Sequence, residues 1–498
     1  MPQIRVIHMK AENERWMRRW AACGVILAAL TAADSSALAQ QRVTLREAVA
    51  IAQQNSHLAS AAMSARDAAR ARDRAFDAGL LPQLSLSGNV PVYSRAIEPV
   101  PDTSGAIRFL PQQRNDMSVT MNVAQQLPFT GGELFVSSGL RRVLESGRPE
   151  NWSSTPFLVG LRQNLFRPNI AKWNAREQTI RADVAERTYL EAREDIAITT
   201  VGVFFDHYTA KLALTNALAN ASINDTLFAL NKGRYEVGKI GENDLLQSEL
   251  AVLRSRAAVD GARLEYDRTL AALRLQLRLP VGAALEVVAP TDIPDVVADT
   301  AVAVTQALRN RAQMRDLDLQ DTQARRRVSE ARLNTGFGAS VEAIMGYNQS
   351  GTGFDAVYND LLQQQRFGVN VELPLVQWGG RSAQIQAAQA DRSRIGSTAQ
   401  QTREQLVQEA HFGALQLAQA RRQLLISAKA DTVAALRFEV AKNRYIIGRI
   451  GMDNLYQAQT EKDQVLTAYL QALRGYWLAY YRLRRTTLYD FEVAAPIR

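Results

Sequence analysis

A short motif occurs twice in this chain, at positions 210 residues apart. Residues 234–247 read RYEVGKIGENDLLQ, and residues 444–457 read RYIIGRIGMDNLYQ. Arg, Tyr, Gly, Ile, Gly, Leu and Gln recur at matching positions. A motif repeated at this distance indicates an internal duplication, in which each half of the chain has the same arrangement of elements.

Each copy of the motif interrupts a segment without proline. The two segments run from Pro168 to Pro280 and from Pro374 to Pro496. Because proline and glycine end helices, each segment is predicted to be a helix of about 67 residues, a Gly-x-x-Gly turn and a helix of about 37 residues. At 1.5 Å per residue these helices are about 100 Å and about 55 Å long. Helices of this length need partners along an apolar seam, so coiled-coil packing is expected.

The duplication includes a short helix before each long one. Thr44-Leu-Arg-Glu47 is a capping box, which predicts a helix that runs to about Ala78. A matching helix is predicted from about Val302 to Asn334, because Ala52 and Asn55 recur as Ala307 and Asn310 at an offset of 255 residues.

Alternating apolar and polar residues follow each short helix, as in strands with one apolar face. The strands are predicted over about residues 82–166 in the first half and 339–375 in the second. The offset between the halves falls from 255 residues at the short helices to 210 at the long ones, so the first half has an insertion. The insertion, about residues 115–150, has two further alternating runs around Gly131-Gly132. It is either an additional hairpin in the sheet or a folded loop beyond it.

Residues 1–39 have the features of a secretory signal peptide. Arg18 and Arg19 precede a short apolar run, and Ala37-Leu38-Ala39 is an A-x-A cleavage site. The sequence leaves open which of its first methionines is the true start. The only cysteine, Cys23, lies in this leader, so the mature chain is expected to have no disulfide and no cysteine-based metal site.

Charge and motif content argue against several classes of function. The net charge is +9, but charges of both signs alternate along the mature chain, which argues against nucleic acid as a partner. His57, His207 and His411 have no nearby acidic or histidine residue in a ligand-like spacing, so no metal site is expected. We find no nucleophile motif or phosphate-binding loop, and we predict no enzymatic activity and no cofactor.

Each half therefore contains a short helix, strands, a long helix, a glycine turn and a shorter helix. One copy has too few strands to close a water-filled barrel, so several copies are expected to share one. The predicted fold class is mainly α with a membrane β-barrel. The predicted divisions are the signal peptide 1–39, a first repeat 40–288 with its helical hairpin at 171–279, and a second repeat 289–498 with its short helix at 302–334 and its hairpin at 381–489.

The ordered, duplicated set of features resembles the TolC family of outer-membrane efflux channels over nearly all of the mature chain. Its markers are the two Arg-Tyr-x-x-Gly-x-x-Gly turns, the sequences QNLF (Gln163 to Phe166) and ELPLVQWGGR (Glu372 to Arg381), and the short helix that opens each half. The resemblance implies a homotrimer, whose strands form one β-barrel in the outer-membrane lipid. It implies that the long helices form an α-helical barrel in the periplasm.

The resemblance also implies a function and partners. These are a passive exit duct of a tripartite efflux or type I secretion system, a periplasmic adaptor (membrane fusion protein), and an inner-membrane pump or ABC exporter. The sequence does not separate drugs, metals and proteins as the transported substrate. A soluble periplasmic adaptor or coiled-coil scaffold is the alternative, and the duplicated strands argue against it.

The repeated turns are the expected adaptor contacts. Gly238 and Gly448 fit helix C′ positions, where glycine tolerates a positive φ. An isoleucine between the two glycines of each turn is expected to be exposed and to contribute to binding. The expected contact residues are Gly238, Lys239, Ile240 and Gly241 in the first turn, and Gly448, Arg449, Ile450 and Gly451 in the second.

The resemblance places an aperture gate just after the turns. Asp244 matches the family position whose carboxylate helps to latch the closed aperture, and the family's arginine partner aligns with Ile450, next to Arg449. The spacing of Asp244 and Gln247 also fits a helix N-cap and its partner.

The acidic ring of the family aligns with neutral residues in this chain, Asn454 and Gln457, whose spacing also fits an N-cap and its partner. Asp453 is the candidate for a displaced acidic ring. The predicted gate residues are therefore Asp244, Asp453, Asn454 and Gln457.

Overall fold

The computed structural model describes residues 41–101, 104–288, 290 and 293–497, and the predicted signal peptide with Cys23 lies outside these residues. In chain order the helices are α1 (Leu45–Asn55), α2 (His57–Gly79), α3 (Ile170–Glu236), α4 (Glu242–Leu277), α5 (Thr300–Asn310), α6 (Ala312–Asn334), α7 (Gly380–Ile446) and α8 (Met452–Thr487). The strands are β1 (Gln41–Val43), β2 (Gln83–Pro101), β3 (Ile107–Leu127), β4 (Gly132–Glu145), β5 (Asn151–Leu165), β6 (Leu285–Val287), β7 (Gly338–Gly351), β8 (Leu362–Glu372), β9 (Tyr489–Asp490) and β10 (Ala495–Pro496).

The long helices match between the two halves. Helices α3 and α7 have 67 residues each, and α4 and α8 have 36 each. The prediction of very long helices is confirmed, because nothing in either proline-free segment ends a helix except the glycine turn. Among the helices that the structure describes, none is both long enough and apolar enough to cross a membrane.

Each short helix is divided in two, so the prediction of two continuous helices is wrong. The breaks are at Ser56 and Arg311, which have extended ψ angles of 156° and 137°. Neither break has a proline or glycine, but both residues are buried. The Arg311 guanidinium lies 3.5 Å from the Glu191 carboxylate, so tertiary contacts place this break. The predicted capping box is confirmed, since the Thr44 hydroxyl accepts from the Glu47 backbone N–H.

Six strands form one antiparallel sheet in the order β2-β3-β4-β5-β7-β8. The insertion is therefore a hairpin in the sheet, because β3 and β4 pair with each other and with β2 and β5 on either side. Strand β5 of the first half pairs directly with β7 of the second half. The sheet thus has four strands from the first half and two from the second.

The sheet has one apolar and one polar face, since side chains alternate along each strand. The pairing places Leu84, Val123, Val136, Val159 and Met345 in one row across five strands. The neighbouring row on the opposite face contains Ser85, Asn122 and Ser137. Large apolar residues of the first face are exposed in the single chain: Leu84, Leu86, Val119, Met121, Leu134, Phe157, Leu161, Met345, Tyr347, Phe367, Val369 and Val371.

Strands β2 and β3 continue beyond the rest of the sheet. Strand β4 pairs with β3 only between Arg114 and Leu127. Beyond this point Arg95–Pro101 pairs with Ile107–Gln113 alone. A two-stranded ribbon therefore extends from one end of the sheet.

The chain divides into two compact units that each combine segments of both halves. The first contains the described residues up to His57, Ile196–Pro294 and Ile426–Arg474, and the second contains Leu58–Asp195, Asp295–Leu425 and Gly475–Arg498. The repeated turns lie in the first unit and the six-stranded sheet lies in the second. A core cluster of the first unit is formed by Leu227, Phe438, Tyr445, Met452, Leu455 and Ala458.

Candidate functional site

The two repeated turns have the same backbone hydrogen bonds. Gly238 has a φ of 69° and Gly448 a φ of 75°, so the prediction of positive φ at both C′ positions is confirmed. The N–H of Lys239 donates to the Arg234 carbonyl at 2.8 Å, and the N–H of Arg449 donates to the Arg444 carbonyl at 2.8 Å. With the bonds from both glycine N–H groups to the tyrosine carbonyls, this is a Schellman motif in each turn.

The prediction that Asp244 and Asn454 are N-caps is wrong, because the helices after the turns begin before these residues, at Glu242 and Met452. Gly241, with extended backbone angles, is the N-cap of α4, and it makes no side-chain cap bond. Asp244 therefore lies within the first turn of α4, and Asn454 is the third residue of α8. Acidic residues in a first helical turn interact favourably with the helix dipole, which gives Asp244 a different local role.

The expectation that the isoleucines between the glycines are exposed is also wrong. Ile240 and Ile450 are half-buried, and Ile450 packs against the core cluster of Leu227 and its neighbours. The exposed apolar side chains lie just before the glycines. Val237 is 67% exposed and Ile447 is 64% exposed. The sequence contains this signal, because both turns have an apolar residue immediately before the first glycine.

The repeated tyrosines differ in their surroundings. Tyr445 is 5% exposed and its hydroxyl donates to the Asn231 side-chain oxygen at 2.8 Å. The Asn231 amide in turn donates to the Met452 sulfur at 3.4 Å. Tyr235, the equivalent of Tyr445 in the first repeat, is 41% exposed. The second turn is therefore held on the first helical hairpin by a buried polar cluster that the first turn lacks.

Two further contacts join the hairpins at the turns. The Arg234 guanidinium donates to the Ile446 carbonyl at 2.8 Å and lies 5.5 Å from the centre of the Tyr445 ring. Since Ile446 is the last residue of α7, this cation is placed where the helix dipole is negative. The Gln247 side chain donates to the Asp453 carboxylate at 2.9 Å. The two turns are thus bonded to each other as well as to their own helices.

The structure brings together only some of the predicted gate residues. Asp453 contacts the first hairpin through Gln247, whereas Asn454 and Gln457 are exposed on α8. Asp244 is half-buried, and none of the ion pairs between described residues includes it. Lys239 and Arg449 are both exposed, so each turn presents one cation to solvent.

A cavity of about 700 Å³ lies between α3, α4 and α8, and Gln247 and Tyr456 of the repeated motifs are among its lining residues. Its polar wall comes from α3, where Asn216, Asn220 and Asn224 are four residues apart, and from Asp463 on α8. The amides of Asn216 and Asn220 donate to the Asp463 carboxylate at 2.6 Å and 2.9 Å. Sequence reasoning missed this site, although three asparagines at helical spacing were a visible signal.

The described histidines, His57, His207 and His411, belong to no cluster of metal ligands. Within the part of the chain that the structure describes, there is no group of three or more His, Cys, Asp and Glu side chains that could hold a metal ion. His207 is buried, its Nδ1 lies 3.2 Å from the Thr269 hydroxyl, and burial lowers its pKa from 6.5 to about 4, assisted by the charges of Lys211 and Arg274. It is therefore a neutral residue of the helix packing at ordinary pH.

No protein-family profile matches the sequence, and no curated protein matches it. Solved structures nevertheless match nearly the whole chain. The CmeC outer membrane channel of Campylobacter jejuni has a TM-score of 0.65 and 16% identity, over 91% of this chain and 87% of that chain. A membrane protein from Pseudomonas aeruginosa has a TM-score of 0.63 and 16% identity, over 89% and 90%.

The outer membrane protein VceC of Vibrio cholerae has a TM-score of 0.62 and 15% identity, over 90% of this chain and 96% of that chain. At identities this low, the shared property is the arrangement of helices and strands, which agrees with the predicted fold class. The chain therefore has the fold of the TolC family of outer-membrane channels.

Proposed function

We propose that this protein is an outer-membrane channel, the passive exit duct of a tripartite efflux or type I secretion system. Three copies share a barrel in the outer membrane, and their long helices extend into the periplasm. A periplasmic adaptor docks on the turns, and an inner-membrane pump or ABC exporter supplies the energy. The chain itself catalyses no reaction, and nucleic acid is not a partner.

The observation that carries this proposal is the two-faced sheet. Twelve large apolar side chains on one face are exposed in the single chain, and a lipid bilayer would cover such a face. The two strands that the second half contributes to this sheet, β7 and β8, have 14 and 11 residues. A tilted strand needs about 9 to 11 residues to cross the hydrocarbon core.

The opposite face of the sheet is suited to water. It has ion pairs between neighbouring strands, with the Arg366 guanidinium 2.9 Å from the Glu342 carboxylate and that of Arg162 3.9 Å from Glu133. Charged pairs of this kind are stable in a water-filled interior and energetically unfavourable in contact with lipid. A barrel with this face inward would conduct polar solutes.

The turns are the proposed docking surface. Val237 and Ile447 present exposed apolar side chains there, and Lys239 and Arg449 add a cation to each turn. Exposed apolar residues rimmed by charge are typical of a protein-binding surface. Adaptor binding opens the aperture when it replaces contacts such as Arg234 to Ile446 and Gln247 to Asp453 with contacts of its own.

Cell fractionation and planar-bilayer recording test the channel function. The mature protein is expected in the outer-membrane fraction, as a detergent-stable oligomer that produces ion-conducting steps in a bilayer. Recovery in the soluble periplasm would instead identify an adaptor or scaffold. An outer-membrane oligomer that conducts no ions under any condition would also contradict the proposal.

Substitutions at the turns test the docking surface separately. The double variant Val237→Asp with Ile447→Asp is expected to abolish efflux or secretion while the oligomer is produced at the normal level. The matched control is Val281→Asp, because Val281 is fully exposed in the loop after α4, far along the chain from either turn. Normal transport by the double variant would show that the adaptor docks elsewhere.

A further inference from the structure

The internal duplication alone would give two strands per half, but the first half contributes four. Strands β2 and β5 correspond in order to β7 and β8, and the inserted strands β3 and β4 lie between them in the same sheet. On the basis of the channel function proposed above, we propose that β2 of one copy pairs with β8 of the next, so that three copies close a barrel of eighteen strands.

The inserted hairpin has the same two faces as the rest of the sheet. Val119 and Met121 of β3 are exposed on the apolar face, as is Leu134 of β4. On the polar face, Asn122 of β3 pairs with Ser137 of β4. A loop folded above the membrane would not need an apolar face continuous with its neighbours, whereas two wall strands would.

Side-chain contacts also join β4 of the insertion to β5, which belongs to the duplicated set of strands. The Phe135 ring of β4 lies over Gly160 of β5, so closely that a methyl group at Gly160 would overlap the ring. The Arg162 guanidinium lies 5.4 Å from the centre of the same ring. An aromatic side chain placed over a glycine of the adjacent strand stabilises the pairing, which fixes β4 against β5.

The two edges of the sheet are suited to pairing with each other. The sheet has six strands and every neighbouring pair is antiparallel. Strands β2 and β8 therefore run in opposite directions, and copies joined edge to edge keep the alternation. Edges that stay free are usually protected by lysine, proline or a bulge. Strand β8 has none of these. In β2 the shift in register and all three prolines, Pro91, Pro99 and Pro101, come after Asn89, so Gln83–Asn89 has none of them either.

The apolar face is also continuous across such a junction. Leu84 and Leu86 of β2 lie on the same face as Phe367 and Val369 of β8, and all four are exposed. A second copy that pairs at each edge would extend one apolar band around the ring. The ring then encloses a water-filled lumen, as barrels of 16 to 18 strands do. The membrane end of this duct would therefore admit large hydrophilic solutes, and the periplasmic turns would set the limiting aperture.

Disulfide mapping tests the junction in the full-length protein, because Cys23 is the only cysteine and lies in the predicted leader. Ser85→Cys or Ser87→Cys on β2 is combined with Gln364→Cys, Gly368→Cys or Asn370→Cys on β8. These positions share the polar face, and together they sample the registers at which the two edges can pair. At least one combination is expected to give oxidised dimers and trimers on non-reducing gels, and the single variants none.

The control is Asn122→Cys with Ser137→Cys, which are cross-strand partners within one copy. This pair is expected to form an intramolecular disulfide and no covalent oligomer. Covalent oligomers from the control, or none from any edge combination in a properly inserted oligomer, would overturn the proposed junction.

Electron cryo-microscopy of the unmodified oligomer counts the strands directly. Eighteen strands with β3 and β4 in the wall are expected. A trimeric channel with a twelve-stranded wall would refute this inference and leave the channel function intact. Absence of the protein from the outer membrane would refute both.

A shortened variant provides a second test. Deletion of residues 92–145 removes β3, β4 and the ribbon, and it leaves Gln83–Pro91 to pair with β5 through the existing turn at 146–150. Because barrel diameter grows roughly in proportion to strand number, the cross-section of the lumen is expected to fall by about half. An unchanged strand count and lumen diameter in an inserted deletion variant would contradict the proposal.

Discussion

Replacing Tyr445 by phenylalanine tests whether the buried polar cluster at the second turn holds the hairpins together. The substitution removes only the hydroxyl, which donates to the Asn231 side-chain oxygen at 2.8 Å. Asn231 is fully buried, so its oxygen would be left without a donor. A buried polar atom without a partner costs about 1 to 3 kcal/mol. If opening of the turn exposes this oxygen to water, the equilibrium between open and closed turn shifts by about 5- to 140-fold.

Native-state hydrogen exchange measures this equilibrium at the turn itself. The amides of Gly448 and Arg449 make the hydrogen bonds that close the second turn, and their exchange rates in Tyr445→Phe are expected to rise by that factor. In planar bilayers, the open probability of the channel is expected to increase in the same variant, because the lost bond joins the two hairpins.

The matched control is Tyr235→Phe at the equivalent position of the first repeat. Tyr235 is 41% exposed, so removal of its hydroxyl leaves no buried atom unsatisfied. Its effect should stay within about 0.5 kcal/mol, or about a twofold change in exchange rate. Equal effects of the two substitutions, or no effect of Tyr445→Phe on exchange, would refute the argument that the buried cluster holds the second turn.

Three further predictions concern stability. Gly448 has a φ of 75°, so Gly448→Ala is expected to destabilise the second turn by about 1 kcal/mol and to raise the hydrogen-exchange rates of its amides. Gly451→Ala should have a smaller effect, because there is free space for a methyl group at Gly451. The thermal midpoint is expected to fall as pH decreases from 6.5 to about 4, because the folded protein keeps His207 neutral while the unfolded chain is protonated in that range; His207→Asn should reduce this dependence, and an unchanged profile would contradict it. In the folded protein the Glu194 side chain is 2% exposed and its carboxylate lies 3.2 Å from the Arg484 guanidinium. Arg484→Met would leave this buried carboxylate unpaired, so it is expected to destabilise the fold by about 3 to 5 kcal/mol and to increase proteolysis of the C-terminal segment. Addition of Glu194→Leu should restore much of the lost stability.

Local sequence was sufficient where a single residue decides the conformation. The positive φ at Gly238 and Gly448 and the capping box at Thr44 follow from the residues themselves. The period of two in the strands also predicted the apolar face correctly, because alternation along a strand does not depend on which strand lies beside it.

Sequence was insufficient where the answer depends on a neighbouring element. Ile240 and Ile450 are half-buried. Ile450 packs against a core cluster that includes Leu227 of the first hairpin, and no local pattern contains that information. The break at Arg311 depends on contact with Glu191, which is 120 residues away in sequence. The same limit left the insertion undecided, since alternating runs look alike in a sheet and in a folded loop.

The capping error at Asp244 has a different origin. The spacing of Asp244 and Gln247 fits a cap, but so does a start directly after Gly241, and glycine is an acceptable N-cap. A helix that begins at Glu242 gains an earlier turn of backbone hydrogen bonds. Which residue begins the helix depends on the conformation of the whole turn, and the spacing of two residues does not contain that information.

The inserted hairpin lies in the interior of the sheet, between β2 and β5, so the outer edges of β2 and β8 do not contain it. A gene that gains or loses such a hairpin changes the circumference of the assembled wall in steps of two strands per subunit, while the surfaces through which subunits recognise one another keep their sequence. With the junction proposed above, one insertion could therefore resize the conduit, and only β2 and β5 would change neighbours.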